Sequence, residues 1–196
     1  MRTQRGSLMA RLFSIRPTLT MKGRQFKGLR GFAGKPSHPP LTDFPVTCYI
    51  LLATFDLISL LSEDGSKAAL DFFTAGTFVL VAGLIVSVPT ALTGFWDWLK
   101  STPSHTQAWR TANWHMTVML TVTLLVIIDL VMRSGDETAG AGLTILSLVI
   151  GCLVGFGAAY GGSLVYEYGF NVETSGDHAV WHESETDVYP GQEHAQ

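Results

Sequence analysis

Two histidines, His38 and His115, are the residues of this 196-residue chain best suited to bind a cofactor. Each lies close to the start of a long apolar stretch. Two imidazoles from facing segments are the usual axial ligands of a low-spin b-type haem in a helical bundle, and Arg110 or Lys35 could neutralise the haem propionates. The alternative is a structural role, in which each imidazole bonds a backbone group, and the residue pattern leaves both readings open.

The prolines that follow His38 favour the structural alternative. His38 precedes Pro39 and Pro40. A residue before proline is biased away from the helical region of backbone conformation. We therefore expect His38 in an extended or turn segment and not on a helix that faces the bundle. That placement would weaken the geometry of a haem site.

Other polar residues gather at the same ends of the apolar stretches. If neighbouring stretches run up and down, these ends converge in one layer although they are far apart in the chain. The members of this predicted polar layer, besides the two histidines, are Asp43, Asp97, Asn113 and Tyr166.

Two aspartates, Asp56 and Asp129, lie inside apolar stretches nearer their opposite ends. A carboxylate at membrane depth is costly, so it is expected either to be paired or to have a function such as proton relay. Arg133 follows Asp129 by four residues, the spacing of an ion pair on a helix. We expect Asp56 to face Arg133 or to pair with a polar group such as Ser59, with proton relay as the alternative.

The elements that must position these side chains are four mostly apolar runs, at residues 41–61, 72–95, 111–132 and 141–166. A helix needs about 20 such residues to cross a bilayer, and it satisfies its own backbone there. A composition of 47% hydrophobic and 15% charged residues agrees with a membrane protein. The connections are short, which makes neighbouring helices antiparallel. The sequence predicts an all-α integral membrane up-down four-helix bundle.

Charge divides the chain into three parts. Nine of the thirteen Lys and Arg residues lie within residues 1–35, which contain no Asp or Glu, whereas residues 167–196 carry seven acids and no Lys or Arg. We predict a basic arm (1–35), a bundle (36–166) and an acidic tail (167–196). Basic residues favour the cytoplasmic side, so both termini are expected there. The plasma (inner) membrane is the expected location, with an organelle membrane left open, and no nucleic-acid partner is expected.

Several separated motifs resemble a known family. They are GKPSHPPLTDFP from Gly34, FD at Phe55, LTGFWDW from Leu92, WH at Trp114 and YGGSLVYEYG from Tyr160. Together they resemble a bacterial four-helix integral membrane family catalogued as domain of unknown function 2231, over about residues 30–175. The family-type positions that the resemblance indicates are His38, Asp56, Gly94, Asp97, His115, Gly161, Gly162 and Tyr166.

The resemblance also implies a redox setting, because some members of that family are fused to a Rieske iron-sulfur domain. This chain has no Cys-x-His pair that could bind a Rieske cluster, so such a partner would be a separate protein.

Three functions from different classes follow. The first is a membrane subunit associated with a redox or electron-transfer complex, which acts through the polar histidine layer and uses the termini as docking segments. The second is a b-type haem electron-transfer protein with His38 and His115 as ligands. The third, a small transporter or channel, is disfavoured because the buried aspartates offer a poor polar path. No catalytic residue is assigned, and a stand-alone enzyme is not expected.

Overall fold

The computed structural model describes Leu29 and residues 36–170. Four α-helices make up this part of the chain: α1 (His38–Leu61), α2 (Lys67–Ser101), α3 (Gln107–Met132) and α4 (Ala141–Tyr166). Each is long and apolar enough to cross a membrane. The predicted all-α membrane bundle is therefore confirmed. Apart from Leu29, the basic arm lies outside the described residues, as does most of the acidic tail.

The helix starts are set by local sequence. Ser66 precedes α2, and its side chain accepts a hydrogen bond from the backbone N–H of Ala69 at 3.2 Å. Thr106 does the same for α3, with the N–H of Trp109 at 3.1 Å. Such caps satisfy one of the first-turn N–H groups that have no partner within the helix. Helix α2 is 35 residues long, so it extends beyond both ends of the apolar run predicted at residues 72–95.

The helices form a closed ring in which α1 packs against α2 and α4, and α3 packs against α4 and, less extensively, against α2. Helices α1 and α3 therefore lie diagonally across the bundle. The outer faces are apolar: Phe78, Ile85, Leu92 and Val131 are among the large hydrophobic side chains that are mostly exposed. Such a surface suits contact with lipid chains.

An apolar layer fills the middle of the bundle. Its fully buried members come from all four helices: Tyr49, Leu52, Leu80, Val122, Val126, Ile150 and Val154. On α3 this layer lies between His115 and Asp129, two residues separated by about 21 Å of helix rise. The bundle thus has two polar regions, one towards each end, with a packed apolar layer between them.

Candidate functional site: the paired histidines

His38 begins helix α1, and this corrects the prediction from its neighbours. Ser37 is the N-cap residue, and Pro39 and Pro40 lie in the first turn. Proline is tolerated there because the first N–H groups of a helix have no partner within it, and the fixed φ angle suits the helix. The prediction that His38 lies in an extended or turn segment is wrong. Its imidazole instead lies among residues of the neighbouring helix.

The backbone of α2 fixes the imidazole of His38. Nδ1 lies 3.0 Å from the carbonyl oxygen of Thr90, and the hydroxyl of Thr93 lies 3.4 Å from the same nitrogen. A carbonyl oxygen only accepts hydrogen bonds, so Nδ1 must carry the proton. The neutral ring then keeps its free lone pair on Nε2.

His115 on α3 is fixed in the same way by α4. Its Nδ1 lies 2.8 Å from the carbonyl oxygen of Gly157, so this nitrogen also donates. Within the part of the chain that the structure describes, neither Nε2 makes a hydrogen bond. Both imidazoles therefore present a lone pair that no described residue uses.

The two rings meet inside the bundle. Their centroids are 6.4 Å apart and their planes are 79° from each other. Both side chains are partly buried. Because His38 comes from α1 and His115 from α3, the pair bridges two helices that lie diagonally across the bundle. We call His38, His115 and the two backbone carbonyls that hold them the histidine layer.

Two glycines make room for the rings. A Cβ atom on Gly94 would lie 2.6 Å from Cε1 of His38, a distance that real Cβ contacts essentially never show. A Cβ on Gly161 would lie 3.2 Å from Cε1 of His115. Glycine at these two positions of α2 and α4 lets the helix backbones approach the imidazoles closely. Packing around the rings thus gives a physical reason for glycine at both positions.

The donor set suits a haem iron. Metal-bound histidines usually donate their other ring N–H to a backbone carbonyl or carboxylate, as both do here. His38 and His115, whose ring centroids are 6.4 Å apart, could each supply one imidazole to such an iron. A porphyrin supplies the four remaining ligands of iron, so two histidines are sufficient. Among the described residues no group of three or more His, Cys, Asp or Glu side chains could hold a metal ion by itself.

Of the other residues predicted to share this layer, two are tied into the fold. Asp97 is only 3% exposed and accepts a hydrogen bond at 2.9 Å from the backbone N–H of Leu29, which precedes α1. Asn113 accepts one at 2.8 Å from the indole N–H of Trp98. The first contact holds the backbone at Leu29 against α2, and the second joins α2 to α3 beside the histidines.

In the described part of the chain, the remaining predicted members make no hydrogen bond to either ring. Asp43 is exposed, and Tyr166 is 88% exposed. A Cβ on Gly162 would meet only the ring of Tyr166, at 3.9 Å. Arg110 is exposed and donates from Nε to Gln107 on its own helix at 3.1 Å. Lys35 lies outside the described residues.

Sequence reasoning missed three residues of the site, namely Thr90, Thr93 and Gly157. A signal was present on α2, where Thr90, Thr93, Gly94 and Asp97 follow one another at the i, i+3, i+4, i+7 spacing of a single helix face. On α4, Gly157 and Gly161 are four residues apart. Thr90 and Gly157 act through their backbone carbonyls, which side-chain chemistry does not reveal.

The two buried aspartates meet at the other end of the bundle. Arg133, just after α3, lies 2.8 Å from Asp56 and 2.7 Å from Asp129. Pairing of Asp129 with Arg133 is confirmed, and of the two partners expected for Asp56 the structure shows Arg133. Ser59 instead donates to the carbonyl of Ala69 at 2.8 Å. We call Asp56, Asp129 and Arg133 the arginine cluster.

Fold and site together define a four-helix integral membrane protein with two opposed imidazoles near one end of the bundle. A family model described as "Predicted membrane protein (DUF2231)" matches residues 34–174, and the chain belongs to this family. The matched range contains all four helices, both histidines and the arginine cluster. Neither the curated proteins nor the solved structures include a match to the chain.

Proposed function

We propose that this protein is an integral membrane electron-transfer subunit that holds one b-type haem between His38 and His115. The observation that carries the proposal is the opposed pair of imidazoles, 6.4 Å apart, each anchored through Nδ1 to a helix carbonyl. A haem b bound there would supply reversible one-electron chemistry.

The residues of the chain do the positioning. The bonds from Nδ1 to the Thr90 and Gly157 carbonyls fix the tautomer of each ring and make Nε2 a stronger donor to a metal. Gly94 and Gly161 limit the movement of the rings by close contact. Because all four helices contribute, the spacing of the ligands depends on the packed bundle and not on one flexible segment.

A second argument supports electron transfer over transport. The apolar layer between the histidine layer and the arginine cluster consists of side chains that are at most 1% exposed. A path for ions or polar solutes needs polar groups or water along its length. The packed layer therefore disfavours the transporter or channel alternative for a single copy.

A single haem can only accept an electron and pass it on, so it needs an electron donor and an electron acceptor. We propose that other subunits of a larger membrane complex supply at least one of them. The basic arm (1–35) and the acidic tail (167–196) are the proposed docking segments for such partners, among which a separate Rieske-type protein is one candidate. With both termini on the cytoplasmic side of the plasma membrane, Lys35 and Arg110 would be near the histidine layer and available to haem propionates.

The proposal is tested by the visible absorption spectrum of the full-length protein, purified in detergent, first oxidised and then reduced with dithionite. We expect a Soret band that shifts on reduction and resolved α and β bands, at one haem per chain by pyridine haemochrome assay. A spectrum without these bands, from a folded helical sample expressed with haem supplied, would contradict haem binding and favour a subunit without its own cofactor.

Histidine variants identify the ligands. His38→Ala and His115→Ala are each expected to remove the bands while the circular dichroism of the helices is retained. His105→Ala is the matched control, because His105 is exposed in the connection between α2 and α3. An unchanged spectrum in either ligand variant would rule out that histidine as an axial ligand.

A further inference from the structure

The guanidinium group of Arg133 makes four hydrogen bonds in the arginine cluster. Nε lies 2.8 Å from Oδ1 of Asp129, and Nη2 lies 2.8 Å from Oδ2 of Asp56. Nη1 lies 3.4 Å from Oδ1 of Asp56 and 3.2 Å from the hydroxyl of Thr77. Nη2 also makes an ion-pair contact of 2.7 Å with Oδ1 of Asp129.

One carboxylate oxygen is left over. Oδ2 of Asp129 is buried and has no hydrogen-bond partner in the described part of the chain. Asp56 and Asp129 are 0% exposed and Arg133 is 4% exposed. Two ionised carboxylates beside one guanidinium would leave a net negative charge in this buried site. An unpaired buried charge is far more costly than an unpaired neutral hydroxyl.

Among the residues that the structure describes, the elements around the cluster supply no second cation. From α2 the cluster meets Thr77 and the ring of Phe73, whose centroid is 5.0 Å from Cζ of Arg133. From α4, Thr144 lies 3.4 Å from the backbone oxygen of Asp56. The other described charged residues at this end are all exposed: Glu63, Asp64, Lys67, Asp71, Asp136 and Glu137. Lys67, the one cation of this set, pairs with Asp71 on its own helix.

We propose that the arginine cluster is a proton-binding site, in which the carboxyls of Asp56 and Asp129 share one proton and Oδ2 of Asp129 carries it. With that proton bound, one carboxylate balances Arg133 and the second carboxyl is neutral. This site is independent of the histidine layer, from which about 21 Å of α3 separates it.

A pocket reaches Arg133 of the cluster from the surface. A cavity of about 320 Å³ opens between α2 and the connection from α3 to α4, and Arg133, Thr77, Asp136 and Glu137 are among its lining residues. The exposed carboxylates of Asp136 and Glu137 can exchange protons with solvent beside the buried cluster. We therefore expect the proton to exchange with the aqueous side that faces this connection.

The test is infrared spectroscopy of the full-length protein in lipid nanodiscs, with ¹³C-labelled aspartate to separate aspartates from glutamates. At neutral pH we expect the C=O stretching band of a protonated carboxyl group, shifted by the label. A labelled wild-type sample with no such band would overturn the proposal without any variant.

Two variants distinguish a proton shared by both carboxyls from a proton held by one isolated side chain, because only the shared proton is lost in both variants. Asp129→Asn removes the proton-carrying group, and Asp56→Asn leaves one carboxylate with one guanidinium, so either substitution is expected to abolish the band. Asp43→Asn, an exposed position, and Asp97→Asn, the buried aspartate of the other end, are controls that should retain it. Persistence of the band in a folded Asp129→Asn protein, or its loss in Asp97→Asn, would overturn the assignment. If one cluster variant fails to fold, the other decides.

Discussion

The histidine layer and the arginine cluster are both buried polar sites built from several helices, but they differ in how their hydrogen-bonding capacity is used. In the histidine layer, backbone carbonyls accept hydrogen bonds from Nδ1 of His38 and His115, and no described residue bonds either Nε2. In the arginine cluster, two carboxylates and a threonine accept four hydrogen bonds from Arg133. The first site therefore offers two nitrogen acceptors to a ligand, whereas the second holds helices together and leaves one oxygen, Oδ2 of Asp129, without a described partner.

The same difference separates the energetics of the two regions. Neutral imidazoles bonded to backbone carbonyls tolerate burial without a counter-charge. In the arginine cluster, opposite charges balance each other in an environment that screens charge poorly. Removal of one partner leaves the other charges buried without a counter-charge, which strongly lowers stability. Substitutions near the histidines should therefore change ligand binding more than stability, and substitutions in the cluster should do the opposite.

The largest expected effect is that a substitution in either site removes the spectroscopic signal of that site and leaves the signal of the other site unchanged. His115→Ala should eliminate the haem bands and leave the protonated-carboxyl band unchanged, and Asp129→Asn should do the reverse. Visible and infrared spectra of both variants, measured on the same nanodisc samples, check this prediction. Loss of both signals in one folded variant would show that the two regions are coupled.

Removal of the cation should cause the largest loss of stability. Arg133→Ala leaves two buried carboxyls without their donor, and we expect the free energy of unfolding to fall by about 3–5 kcal/mol. Titration with sodium dodecyl sulfate in mixed micelles, followed by circular dichroism, measures it. Lys67→Ala, which breaks only the exposed pair with Asp71, is the control. Equal effects of the two substitutions would contradict the account of the cluster.

Glycine substitutions test how tightly the imidazoles are held. Gly94→Ala places a methyl group 2.6 Å from the His38 ring, so the ring or the helix must shift, at a cost of about 1–3 kcal/mol. We expect less haem per chain by pyridine haemochrome assay. Gly161→Ala, at 3.2 Å from the His115 ring, should have a smaller effect.

Gly155→Ala is the control for both, since no atom of the described residues lies within 4 Å of a Cβ at that position of α4. Haem content that falls as much in Gly155→Ala as in Gly94→Ala would mean that ring contact is not the cause.

The smallest expected effect lies between the two regions. Tyr49 in the apolar layer has its hydroxyl 2.8 Å from Oγ of Ser87. Tyr49→Phe removes this hydrogen bond and should lower the free energy of unfolding by about 1 kcal/mol, with haem content and the carboxyl band unchanged. The same micelle titration and spectra measure both. A changed spectrum would show that the layer does more than separate the sites.

Much of the fold was predictable because hydropathy alone identifies long membrane helices. The pairing of Asp129 with Arg133 was also predictable, since residues four apart on a helix lie on one face. The partner of Asp56 was not predictable, because the sequence allowed both Arg133 and Ser59. The rotation of α1 against α2 and α4 decides that Asp56 faces Arg133 and that Ser59 bonds a backbone carbonyl.

For the histidines, two local rules conflicted. The residue before a proline avoids the helical region, yet proline is favoured in the first turn of a helix, and at His38 the second preference prevails. The carbonyls of Thr90 and Gly157 could not be foreseen as partners, because every residue carries a carbonyl and side-chain type does not distinguish them.

The sequence by itself determined that this protein is a four-helix membrane bundle with histidines near one end and charged residues inside the other, because hydrophobicity and helix period are local properties. Only the tertiary structure decided that the rings of His38 and His115 lie 6.4 Å apart, each held through Nδ1 by a backbone carbonyl, and that one oxygen of Asp129 lacks a donor among the described residues. Those facts depend on the rotation and register of helices that are distant in the chain, which packing across the whole bundle sets.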